Sequence, residues 1–183
     1  MKRLVLVVAL VAAAWCLAFA QKTTAFAEKP ALLTAIGQSA DYEMVKVLLT
    51  RNNIPFTADN LVKAEALDGS AKTLILVVGA SSKGLGAAGI SADAELARTK
   101  ALLKRAKELG MSVITLHVGG ATRRGTLSDS FIEPCMAASD YAIVVEGSDQ
   151  DGFFTKQAEK NKIALAKVAR VSLAGAPLAA AFK

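Results

Sequence analysis

The sequence predicts an α/β fold: a single three-layer domain with a mostly parallel sheet, Rossmann-like or flavodoxin-like. Three observations predict it. Apolar runs of strand length, rich in Val, Ile and Leu and lacking polar alternation, read as strands buried on both faces. Segments of helical period separate those runs, as crossovers between parallel strands require. The runs also end in loops of glycine and small polar residues, the pattern of a ligand-binding edge outside the carboxyl ends of the strands.

The first element lies ahead of the domain. Lys2 and Arg3 precede an uncharged run, residues 4–20, that ends in Ala18-Phe19-Ala20. This reads as an export signal, with cleavage after residue 20 or, at a second A-x-A site formed by Ala25-Phe26-Ala27, after residue 27. The division is a signal peptide over 1–27 and an α/β domain over 28–183. A retained anchor is the alternative, although the run is a little short of the roughly 20 apolar residues that a span needs. A lipid on Cys16 is disfavoured because Trp15 stands where a small residue should precede it. The expected destination is periplasmic or extracellular, with no membrane association after cleavage.

In the domain, 31–36 predicts the first strand, 40–51 a helix after Ser39, and 55–57 a weak edge strand. A short helix over 59–66 precedes the Asp68-Gly69-Ser70 turn into the central strand, 73–78 (TLILVV). The following stretch, GASSKGLGAAG over 79–89, predicts a loop of small residues open to close backbone approach. A helix over 93–109 follows, capped by Ser91, acidic in its first turn and stopped by Gly110. Leu96, Leu102, Leu103 and Ala106 are its sheet-facing residues. Then come a strand at 113–118, a helix at 129–137 capped by Ser128, a strand at 141–145, a helix at 153–161 and a last strand at 163–168. The tail over 178–182 either docks on the surface or frays.

The formal net charge is +6, and for a chain starting at Gln21 the loss of Lys2 and Arg3 leaves +4, so the exported domain is only mildly basic. Arg98, Lys100, Lys104, Arg105 and Lys107 cluster on one helix with few aromatics nearby, a pattern that reads as a solvated face and argues against nucleic acid. Cleavage leaves Cys135 as the one cysteine, so no intramolecular disulfide forms even in an oxidising compartment. Its apolar setting, Pro134-Cys135-Met136-Ala137, suits an inert buried thiol.

The candidate ligand-binding residues are Gly79, Ser81, Ser82, Lys83, Gly84 and Gly86 after the central strand, with Gly119, Gly120, Arg123 and Arg124 after the next. Glycines would shape the loops, while hydroxyls, a lysine and two arginines would donate to a phosphate, sulfate or carboxylate. The competing reading is turn residues and solvated charges.

No cofactor is expected. In GASSKGLG, Gly79 and Gly84 have four residues between them where the short-chain dehydrogenase loop has three, and Tyr42 and Lys46 precede the loop instead of following it. A P-loop is excluded by Leu85 and Gly86 at its lysine and hydroxyl positions. A hydrolase using Ser81 or Ser82 with His117 and Asp149 is the catalytic alternative. It lacks the Gly-x-Ser-x-Gly elbow and has the chain order Ser, His, Asp. Glu146, Asp149 and Asp151 are oxygen ligands on paper, but their spacing is not that of an EF-hand and no metal is expected.

The segments His117-Val118-Gly119-Gly120 with Arg123-Arg124-Gly125, Leu127-Ser128-Asp129 with Phe131-Ile132, Ser139-Asp140-Tyr141 and Asp151-Gly152-Phe153-Phe154 resemble an uncharacterised family of exported bacterial proteins, a domain of unknown function. The likeness covers the chain from about Pro30 to Phe182. It implies a Rossmann-like fold and carries no activity. The leading functional expectation is non-catalytic binding of a small anionic ligand at the strand edge; a protein-interaction module of the cell envelope, docking a partner on the basic helix or the tail, is a further alternative.

Overall fold

Six short segments pair side by side, all parallel, in the order β2-β1-β3-β4-β5-β6. They are β1 (Ala31–Ile36), β2 (Phe56–Ala58), β3 (Thr73–Val78), β4 (Ser112–His117), β5 (Tyr141–Val145) and β6 (Ala164–Val168). A computed structural model describes residues 25–183; the apolar run 4–20 and its Ala18-Phe19-Ala20 motif lie outside the described residues. Every residue of β1 and β3 is buried, which is why these runs lack polar alternation. The order matches the flavodoxin-like alternative with one strand added at the β6 edge.

The helices are α1 (Asp41–Arg51), α2 (Ser82–Ala87), α3 (Ala92–Glu108), α4 (Thr126–Ala138), α5 (Phe153–Asn161) and α6 (Gly175–Ala180). One core layer joins Val45, Leu48 and Leu49 of α1 and Leu178 of α6 to Leu33, Ile75 and Ile114 of the sheet. The other joins Leu102 and Ala106 of α3, Phe131 and Ile132 of α4, and Phe154 of α5 to Leu74, Leu76 and Val144. These are the three layers expected from the sequence. The tail docks: Leu178, Ala181 and Phe182 are buried, and Phe182 pairs with Ala27 in a parallel bridge. Cys135 is fully buried, and burial raises its thiol pKa far above the usual range.

Four expectations need correction. The run 79–89 is not an open loop throughout, because residues 82–87 form α2, with the Ser81 hydroxyl accepting from Gly84 N at 3.0 Å. Gly84 is needed there for packing, since a Cβ would overlap the Gln38 carbonyl oxygen. The segment 59–66 forms only a single 3-10 turn at Ala64–Ala66. α4 starts at Thr126, ahead of the expected cap, and Ser128 instead accepts from Ala80 N at 2.9 Å, tying α4 to the β3 loop.

The last correction concerns Arg98, which is not on a solvated face. Its side chain is 8% exposed and its guanidinium is 2.7 Å from Glu95, whose side chain has no exposure at all. Glu95 also accepts from Gly37 N at 2.8 Å and Gln38 Nε2 at 3.0 Å, while Arg98 reaches the Val62 carbonyl at 2.9 Å. Burial works to raise the Glu95 pKa, but Arg98, Gln38 and the Gly37 amide together hold it below the usual carboxylate value. The pair therefore clamps the loop leaving β1 onto α3. Removing one partner of a buried pair strands the other charge. Glu95→Ala should thus lower the free energy of unfolding by about 3 kcal/mol or more in urea titration, and a loss under about 1 kcal/mol would mean the pair does not hold the loop.

Candidate functional site at the β1/β3 switch point

Because β1 lies between β2 and β3, the chain leaves β1 to one side and later crosses to the other, so the topological switch point falls between β1 and β3. With all strands parallel, the loops after β1, β3, β4 and β5 share one edge. Gln38 and Ala80 form an isolated bridge across the switch point, Gly79 N donates to the Ile36 carbonyl at 2.9 Å, and Ser81 N donates to the Gly37 carbonyl at 2.9 Å. Gly37 has φ +83°, and a Cβ there would lie 2.7 Å from the Gly79 carbonyl oxygen, so this crossing requires glycine.

Those bonds determine what the β3 loop can offer. The amides of Gly79, Ala80 and Ser81 are all donated inside the protein, and Gly84 N goes to Ser81. The loop that looked like an anion cradle has spent these donors on holding β1, α2 and α4 together. Ser82 and Lys83 are exposed in the first turn of α2, and a Cβ on Gly86 would meet nothing within 4 Å.

A different constellation forms beside it. The Ser39 hydroxyl donates to Asp41 Oδ2 at 2.8 Å and accepts from Asp41 N at 3.2 Å. A Cβ on Gly79 would sit 3.4 Å from Ser39 Oγ, so the two loops touch. Asp41 Oδ2 also faces Arg123 Nε at 3.7 Å, and both side chains lie over Gly119, where any Cβ would overlap them. The structure thus brings Gly79, Gly119 and Arg123 of the sequence candidates together with Ser39 and Asp41, two residues that loop composition did not single out. The signal available for them was the Ser-x-Asp spacing directly after the first strand, where a hydroxyl and a carboxylate can bond locally. Gly120, at φ +71°, turns the chain above them.

Arg124 occupies a different environment. It donates to both Asp129 oxygens at 2.8 and 3.1 Å, to both Asp151 oxygens at 3.1 Å, and to the Ser148 carbonyl. Its Cζ lies 4.3 Å from the Phe153 ring centroid and 5.3 Å from that of Phe154. All its donor capacity in this direction is engaged in joining α4 to α5. Hydrogen bonding from Arg124 first, then from the Phe153 amide, holds Asp151 down at about 2.

Asp149 is likewise committed, accepting from Phe154 N at 2.6 Å and pairing with Lys167 at 2.6 Å. Burial opposes its ionisation, but Lys167, Thr155 and the amides of α5 keep its pKa lowered. Among the described residues no group of three or more His, Cys, Asp and Glu side chains is placed to hold a metal. His117 is fully buried at the end of β4, against the Phe154 ring at 5.0 Å. Its Nδ1 donates to the Val78 carbonyl at 2.8 Å, which leaves the Nε2 lone pair without a hydrogen bond among the described residues. No hydrogen bond joins His117 to Ser81 or Asp149, each of which bonds elsewhere.

Among the described residues, surface hollows of about 400, 220, 180 and 810 Å³ lie elsewhere, and none of these is lined by Ser39, Asp41 or Arg123. The 810 Å³ hollow opens at the opposite, amino-terminal end of β4 and β5, between Leu103, Lys107, Val113 and Asp140. Among the described residues no helix is long and apolar enough to cross a membrane.

Fold and site define a parallel α/β domain with a polar constellation at its switch point. The chain belongs to the family described as domain of unknown function DUF6305, whose model matches residues 28–182, as the resemblance in the sequence implied. No curated protein matches the sequence. Among solved structures, it is similar to the psychrotrophic esterase EstA from Pseudoalteromonas sp., at 13% identity and TM-score 0.36 over 76% of this chain and 78% of the esterase. It is also similar to a GDSL-like lipase from Bacteroides thetaiotaomicron, at 10% identity and TM-score 0.35 over 75% of this chain and 66% of the lipase. Likenesses of this size carry no activity to this chain.

Burial pushes the His117 pKa below its ordinary 6.5, against the opposing pull of the Val78 and Gly120 backbone and of Asp41. The unfolded chain then binds more protons than the folded one once pH falls below about 6.5, and the stability that neutral His117 contributes is lost as pH drops further. The unfolding free energy should therefore fall between pH 7 and 5.5, more steeply in the wild type than in His117→Phe. Equal slopes in urea titrations across that range would show that His117 does not carry the effect.

Proposed function

We propose that this protein is a non-catalytic binder of a small anionic ligand, a carboxylate rather than a phosphate, seated against Arg123 at the switch point. The observation that carries the reading is the state of Arg123. Arg124 is saturated, whereas the Arg123 side chain faces a single carboxylate at 3.7 Å, is one-third exposed and makes no hydrogen bond among the described residues. A guanidinium has five donors in a planar fork suited to a carboxylate. Ligand entry would move Arg123 off Asp41 and onto the ligand, while the Ser39 hydroxyl keeps its bond to Asp41.

The charge at the site narrows the ligand class. Asp41 and Arg123 sum to zero, so a dianion gains little net attraction there, and each added negative charge meets Asp41 at close range. A monoanion pairs with Arg123 at lower cost. The exposed Lys83 lies in the neighbouring α2 and adds only a screened contribution.

Two other readings draw less support. Hydrolysis by Ser81 or Ser82 with His117 would need a serine–histidine hydrogen bond, and the Ser81 hydroxyl is instead the cap of α2. A partner docking on the basic face of α3 would meet a face that has lost Arg98 to the core and Arg105 to the Leu67 carbonyl and Glu108.

Thermal unfolding against a panel of small carboxylates, sulfate and phosphate tests the proposal. A carboxylate at 100 times its dissociation constant should stabilise the domain by about 2.7 kcal/mol, an effect absent in Arg123→Ala. Arg124→Ala should lower the midpoint with or without ligand, because it unties α4 from α5. A stabilising ligand whose effect survives Arg123→Ala would place binding elsewhere, and ester turnover lost in His117→Ala would move the assignment to the hydrolase.

A further inference from the structure

The Asp41–Arg123 pair sets a condition on any ligand that parts it. Asp41 is buried at the start of α1, with its Oδ2 against the floor of the crossing. A Cβ on Gly79 would lie 3.6 Å from that oxygen, and one on Gly119 would overlap it. Among the described residues, Arg123 is the one cation paired with Asp41. The Ser39 hydroxyl donates to Oδ2, and Oδ1 accepts no hydrogen bond among the described residues. The opening amides of α1 offer nothing more. Asp41 N goes to Ser39 Oγ, while the Tyr42 and Glu43 amides go to the Ser39 and Ala40 carbonyls.

When Arg123 turns to a bound carboxylate, Asp41 therefore loses its cation. A plain monoanion leaves one uncompensated negative charge beside a buried carboxylate, and a buried charge stripped of its partner is costly. A ligand that carries its own cation removes that cost. We infer that the ligand is a small α-amino acid bound as a zwitterion, its carboxylate on Arg123 and its ammonium on Asp41. This rests on the carboxylate-binding reading above and narrows it, since the anionic group is then one end of a neutral molecule.

The geometry suits that exchange. An ammonium has three donors, which match the vacant Oδ1 as well as Oδ2. Arg123 Nε and Asp41 Oδ2 are 3.7 Å apart, so the ligand's two charges must stand on neighbouring groups, as they do across a single α-carbon. At present the Cβ and Cγ of Arg123 lie over Gly119, in the space a side chain there would take. Arg123 ends a single 3-10 turn, Ala121–Arg123, whose first two residues are exposed and which follows Gly120 at φ +71°. Its side chain can lift without disturbing the sheet. The floor then uncovered is Gly119 and Gly79, with Ser39 and Asp41 beside it, a surface of small residues that lets an α-carbon approach closely.

Titration calorimetry of the full chain with matched small molecules tests the inference. Glycine and alanine should bind about tenfold or more tighter than acetate, propionate and lactate, the effect of one hydrogen bond between charged groups. Methylamine should not bind, and γ-aminobutyrate, whose charges lie far apart, should bind no better than butyrate. Asp41→Asn should bring glycine down to the affinity of acetate. Acetate or propionate binding as tightly as its amino counterpart overturns the amino-acid assignment and leaves carboxylate binding at Arg123 standing. A preference for glycine that persists in Asp41→Asn, or γ-aminobutyrate equal to glycine, also overturns it. No binding by any carboxylate, or binding undisturbed by Arg123→Ala, overturns the reading on which the inference rests. If Asp41→Asn does not fold, the wild-type series decides alone.

Discussion

Glu95 lies 58 residues from Gly37 in sequence, yet its carboxylate accepts the Gly37 amide and the Gln38 side chain and is neutralised by Arg98. A charge buried this deeply persists only when every lone pair is engaged. Here the bonds that engage it also fix the chain where it leaves β1. Gln38 adopts a positive φ of 59°, a conformation that costs energy for a residue with a Cβ and is held by its bonds to Glu95 and to Asn60. With Gln38 so held, its carbonyl packs over Gly84 and Ser39 turns toward Asp41. The switch point therefore depends on an ion pair that contacts none of the candidate ligand groups.

The same accounting explains why the edge divides into a structural half and an available half. Parallel sheets leave loop amides at the carboxyl ends of their strands, and those amides must be satisfied by ligand, water or protein. After β3 they are satisfied by protein: Ile36, Gly37 and Ser128 take the amides of Gly79, Ser81 and Ala80. After β5, Asp149 takes the first amides of α5 and Arg124 takes the Ser148 carbonyl. What remains polar and lightly committed lies between β1 and β4, where Arg123 and Asp41 face each other over Gly119.

Much of the architecture was legible in the sequence because its signals are local. Unbroken apolar runs such as TLILVV mark strands covered on both sides, and Ser91 with Gly110 brackets the helix α3 to within a residue. Elements misread from sequence were those decided by contacts distant in the chain. Residues 82–87 coil into a helix despite two glycines because Ser81 caps them and Gly84 fits under Gln38. Ser128 looked like a cap by its position, and its hydroxyl instead serves Ala80, 48 residues away.

Composition alone determined that this chain makes one buried parallel sheet with glycine-bearing loops at its exits, since burial and chain turning are properties of neighbouring residues. Tertiary structure alone decided which polar groups those loops leave unspent. Arg123 and Arg124 are adjacent and chemically identical, yet one is locked between Asp129, Asp151 and two phenyl rings while the other meets a single carboxylate across the switch point. Hydrogen-bond capacity is used up by partners that the fold supplies from far along the chain, and no local pattern records which donor has been taken.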